Sequence, residues 1–70
     1  MNKIKLVLES KGIKQTWLAE KLGKSRNMVN SYAQNQSQPT LETLYKIAEL
    51  LDVEVEELLY TKEELSKLKK

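Results

Sequence analysis

The run Arg26-Asn27-Met28-Val29-Asn30-Ser31 carries the densest recognition chemistry in the chain. A guanidinium offers a planar fork of donors, a carboxamide sets a donor beside an acceptor, and a hydroxyl serves as either. At helical spacing Arg26, Asn27, Asn30 and Ser31 fall on one side of a helix, while Val29 and Tyr32 fall on the other. Such a surface hydrogen-bonds the edges of flat, heteroatom-rich partners rather than breaking bonds. Lys11, Lys14 and Lys24 lie nearby in the sequence, cations suited to phosphate oxygens.

Bond-breaking chemistry finds little support. The 70 residues include no cysteine and no histidine, which removes disulfides, thiolate ligands and the commonest general base and zinc ligand. No nucleophile–base pair is legible, so the expectation is no enzyme, no catalytic residue, no metal and no cofactor. The carboxylates of residues 54–57 read as a helix start with solvated acids, and EF-hand spacing is absent. Net charge is only +2, but it is unevenly spread. Residues 1–40 hold seven cationic side chains against two glutamates, and residues 41–70 hold five lysines against eight acids. A basic first half is what a polyanionic partner selects, although solvated lysines alone produce the same count. No apolar run reaches the length of a membrane span, and charges appear too early for a signal peptide. A soluble, cytoplasmic protein is expected.

The elements that must position these groups are helices. Ile4, Val7 and Leu8 keep helical spacing within residues 2–11, with Asn2 available as N-cap and Gly12 closing the segment. Gln15 to Leu22 forms a second helix with Leu18, Ala19 and Leu22 on one face. Ser25 caps a third helix, about residues 25–33, that turns Val29 and Tyr32 inward. Residues 33–39 read as a polar loop in which Asn35 can adopt a left-handed conformation. Thr40 caps a fourth helix carrying Leu41, Leu44, Ile47, Ala48 and Leu51, and Asp52 sits at its C-terminal turn. A short fifth helix holds Val55, Leu58 and Leu59. Thr61-Lys62-Glu63-Glu64 is a capping box able to open a last short helix with Leu65 and Leu68. The fold class is all-α: five short helices around one core spanning 1–60, followed by a weakly helical tail, 61–70.

Helices two and three, joined by a turn of about four residues around Gly23, make a helix-turn-helix. Ala19 is small where the two helices cross, and Gly23 permits the positive φ of the turn. Lys11-Gly12-Ile13, Gln15, Leu18-Ala19, Gly23, Ser25, Val29, Pro39, Leu41, Leu44, Ile47-Ala48, Leu51 and Leu58-Leu59 together resemble the phage Cro/repressor-type helix-turn-helix family across residues 3–59. The resemblance implies a transcriptional regulator, in all expectation a repressor, that binds double-stranded DNA at a palindromic operator as a homodimer. By position it implies base reading by Arg26, Asn27 and Ser31, and backbone contacts by Gln15; Asn30, polar and outward on the same surface, is expected to reach base edges as well. Lys11, Lys14, Lys24, Ser25 and Thr40 are expected on the backbone side as well. Val55, Leu58, Leu59 and Tyr60 are the expected dimer surface.

Arginine suits guanine O6 and N7, and asparagine suits adenine N6 and N7. The sequence departs from the family at three points. Its loop after helix three is uncharged, Lys14 replaces the usual Ser or Thr cap, and Leu8 and Ala33 stand where many relatives pair arginine with glutamate. That apolar pair is expected in contact. Trp17 and Met28 read first as packing residues, with stacking on a sugar or base and a thymine-methyl contact as the respective alternatives. Tyr32, Tyr45 and Tyr60 are expected to place their rings in the core or dimer interface. A protein–protein adaptor, including an antitoxin that also binds its own operator, is the competing class.

Overall fold

Glycine-closed turns set the path of the first three helices. The computed structural model describes residues 1–68 and shows α1 (Ile4–Lys11), α2 (Gln15–Leu22), α3 (Arg26–Ala33), α4 (Leu41–Leu51), a 3-10 helix (Val55–Leu58) and α5 (Lys62–Leu68). Gly12 and Gly23 take φ +66° and +69° at the ends of α1 and α2. Each is followed by an N–H that reaches back to the helix: Ile13 to the Leu8 carbonyl at 2.9 Å, and Lys24 to that of Ala19 at 3.1 Å. Asp52, at φ +56°, ends α4 the same way, with the Val53 N–H 3.0 Å from the Ala48 carbonyl. This back-bonding satisfies carbonyls a helix end would leave orphaned. Ile13 and Val53, the residues just past two of these ends, pack against the core.

Ser25 and Thr40 cap α3 and α4 as expected, accepting the Met28 and Thr43 N–H at 3.1 and 3.2 Å. Thr61 and Glu64 form the reciprocal box at the start of α5. Asn2 is not the N-cap of α1. Lys3 holds that position without a side-chain bond, and the Asn2 Oδ1 accepts the Ile4 N–H from one residue further out.

The core joins Ile4, Leu8, Leu18, Ala19, Val29, Tyr32, Leu44, Ile47, Ala48, Leu51 and Leu58. α2 packs on both α3 and α4, and α1 packs on α3 and on the 3-10 helix. Leu8 and Ala33 are both buried on the packed pair α1 and α3, where an unmatched charge would be costly.

The expected short fifth helix is a single 3-10 turn, Val55–Leu58. Glu54 and Glu57 cap each other in a box that the sequence reading missed, and the chain then leaves in extended conformation at Leu59. There it pairs with Asn2 in an isolated antiparallel bridge, and Lys3 donates its N–H to the Leu58 carbonyl at 2.8 Å. Four residues suffice for one 3-10 turn and not for a stable α-helix. Consequently Leu58, expected at a dimer surface, is fully buried: the turn drives it into the core as the anchor of the C-terminal segment. In the tail, the side chain of Leu68 and residues 69–70 lie outside the described residues.

Candidate nucleic-acid interface

α3 is a mounted rod. Val29, Tyr32 and Ala33 are buried on its inner side, and Arg26, Asn27, Met28 and Asn30 are exposed on its outer side, with Ser31 at the boundary. Three features hold it. Ala19 and Leu18 of α2 are buried in the same core, so the short turn at 23–25 carries α3 away from α2 at a set angle. Ser25 fixes the first turn.

The third feature was not legible beforehand. Asn2, only 3% exposed, knots the end of α3 and its loop to the N-terminus. Its Nδ2 donates to the Tyr32 carbonyl at 3.0 Å and to Gln38 Oε1 at 2.9 Å, while its N–H donates to Asn35 Oδ1 at 2.8 Å. Asn35 and Gln38 return bonds, Asn35 to the Asn2 carbonyl and Gln38 to Asn35 Oδ1. Each polar group of Asn2 is thus matched, as a buried amide requires. The uncharged loop that looked like a loss of basic contacts therefore has a structural role. Asn35 contributes through its left-handed φ of +59°, the one part of this knot that sequence anticipated.

The residues expected on a DNA backbone surround α3 unequally. Lys11, Lys14 and Lys24 are exposed, and Gln15, the first residue of α2, is half-buried. Lys14 gives α2 no side-chain cap, so the first-turn N–H groups of that helix have no side-chain acceptor. Ser25 and Thr40 are exposed, but their hydroxyls already serve their own helices, and the Thr40 hydroxyl also donates to Thr43 Oγ1 at 3.0 Å. Among the described residues the ion pair within 4 Å is Lys3 with Glu64, so the cations near α3 are uncommitted. Lys21, which the sequence reading passed over, lies above the Trp17 ring at 5.9 Å, one helical turn along α2. Trp17, expected as a half-buried packing residue, is 39% exposed and stands outside the residues packed against the core. Met28 departs from expectation: it is exposed rather than packed and lies outside the core cluster. Tyr45 is likewise exposed on α4.

Elsewhere a groove of about 630 Å³ lies between α4 and the 3-10 helix and is rimmed by Glu42, Glu49, Glu54 and Glu56, with Lys46 among them. Its acidic rim belongs to the half of the molecule away from the cationic residues in sequence. Among the described residues no three His, Cys, Asp or Glu side chains are gathered as metal ligands.

A family model for the helix-turn-helix matches residues 4–58. The chain belongs to the Cro/repressor-type helix-turn-helix family. In this helix-turn-helix protein α2 is the first helix of the motif and α3 the second. A crystal structure described as that of "a putative DNA-binding protein from Bacteroides fragilis" is similar, with TM-score 0.82 and 46% identity over 83% of this chain and 94% of the other. No curated protein gives a significant match.

Proposed function

We propose that this helix-turn-helix protein binds double-stranded DNA sequence-specifically and regulates transcription, as a repressor, with α3 laid in the major groove. The observation that carries the reading is the outer side of α3: Arg26, Asn27 and Asn30 are exposed and free of ion pairs among the described residues, on a helix clamped by Ser25 and the Asn2 knot. Arg26 is placed to read a guanine, Asn27 and Asn30 to read adenines, and Ser31 to complete the edge. Gln15, Lys11, Lys14 and Lys24 take phosphates on either side, joined by Ser25 and Thr40 through their backbones.

The operator in this reading is palindromic and bound by two copies. Its half-sites lie about 34 Å apart, one helical turn, so that both copies of α3 meet the same face of the duplex. No described helix is long and apolar enough to cross a membrane, in keeping with work in the cytoplasm, where DNA is reached.

Selection of bound duplexes from a random pool, followed by salt titration on the selected and a scrambled duplex, is the test. The expected result is an enriched inverted repeat, with affinity falling on a log–log plot by about 0.9 per phosphate contacted. A pool that enriches no sequence, or binding insensitive to salt, rejects the reading in favour of a protein-binding adaptor.

A further inference from the structure

We infer that Met28 is a specificity-determining residue, packing its thioether chain against the C5-methyl group of a thymine in each half-site. The inference rests on the proposed role of α3 as the groove-entering helix. Met28 is 44% exposed and lies outside the core cluster, so its apolar chain is not explained by burial within this protein. Its immediate surroundings on the helix are polar. Ser31 and Lys24 border it about one turn on and one turn back, Ser25 lies beside Lys24, and Tyr32, its other neighbour, is turned into the core.

Its placement is also firm. The Met28 N–H is held by Ser25 Oγ at 3.1 Å, which fixes the backbone of the first turn. Helical side chains lean toward the N-terminus, so Met28 covers the end of α3 that would enter a groove. A flexible unbranched thioether there can mould itself to an apolar partner. The major-groove edges of guanine, adenine and cytosine present donors and acceptors, and thymine alone adds a methyl group. A polar surface with one apolar member therefore selects thymine on the side of α3 that Met28 shares with Ser31.

Deoxyuridine isolates this contact, because it removes the methyl and leaves every hydrogen-bonding group. Each thymine of the selected operator is replaced in turn, and binding of the whole chain is measured. Wild type should lose about fourfold at one position per half-site, the worth of one buried methyl. Met28→Ala should lose that sensitivity and keep any others, while Met28→Leu should retain it. Thermal melting should be unaltered in both, since the side chain is outside the core. A methyl effect that survives Met28→Ala overturns the assignment. So does a flat scan, or a selected half-site without thymine, with sequence-specific binding intact. Absence of any selected duplex instead overturns the proposed function, and this contact with it.

Discussion

Arg26 and Lys14 are both exposed cations, but they stand at different points of the motif. Arg26 opens α3, where a long planar side chain reaches past the backbone to a base edge near the outer part of a half-site. Lys14 precedes α2, where an ammonium acts as a point charge. Arg26→Ala should cost about 1–3 kcal/mol on the operator and relax one base pair per half-site. Lys14→Ala should weaken all duplexes about equally and reduce the salt slope by roughly one. Titrations of both variants against operator and scrambled DNA separate the roles; equal losses on both duplexes for Arg26→Ala would make it a phosphate ligand. Asn2 acts through position rather than contact. Asn2→Ala strands the Ile4 N–H and leaves the Tyr32 carbonyl with the Asn35 N–H alone, and should lower unfolding free energy by about 1–3 kcal/mol. Denaturant unfolding measures this, and an unchanged midpoint would mean that water replaces the amide.

Helix ends here are made by local chemistry, and their substitutions have predictable costs. A Cβ added at Gly23 would meet no atom within 4 Å, so Gly23→Ala is penalised by conformation alone. With φ at +69° the cost should be about 1–2 kcal/mol, read from the shift of a denaturant midpoint. Gly23→Asn should lose less, since asparagine tolerates the left-handed region. A larger loss in the alanine variant would reveal crowding in the turn. α5 is the element with fewest anchors. Lys3 reaches Glu64 at 2.6 Å and lies 5.4 Å from the centre of the Tyr60 ring, and Leu65 is 37% exposed. The Lys3 hydrogen bond, aided by the Thr61 N–H, holds the Glu64 carboxyl below the ordinary glutamate range. A lowered folded-state value means that this tie is present at neutral pH and is lost as pH falls through it. Truncation after Tyr60 should leave the neutral-pH melting curve nearly unchanged, since an exposed ion pair contributes little, and remove the small acid-side loss of stability that Glu64 causes. A large drop in melting temperature would show that α5 is docked, across a dimer or within the chain.

At the scale of the whole molecule, the proposed homodimer requires a surface on which two copies meet. With Leu58 in the core, the apolar surface left at the C-terminal segment is Leu59, 38% exposed, with half-buried Val55 and Tyr60 beside it. Leu59→Asp should leave the monomer folded and abolish paired half-site occupancy, whereas Leu58→Asp would unfold the domain and report nothing about dimers. A footprint over two half-sites unaffected by Leu59→Asp would place the interface elsewhere. The sequence by itself determined what neighbours four residues apart can decide. The helix-turn-helix, the Ser25, Thr40 and Thr61 caps, and the left-handed residues Gly12, Gly23, Asn35 and Asp52 all depend on local bonding and strain. So does the inner stripe of α4, whose 3,4 spacing is a local pattern. Tertiary structure alone decided the rest. Asn2 finds its partners 30 to 36 residues away, Leu59 becomes extended because Asn2 is there to pair with it, and Leu58 turns inward in consequence. Met28 and Leu58 are both apolar residues on short helical segments, and no local rule tells which is covered. Burial depends on what the rest of the chain brings to that face, and spacing along one helix carries no record of it.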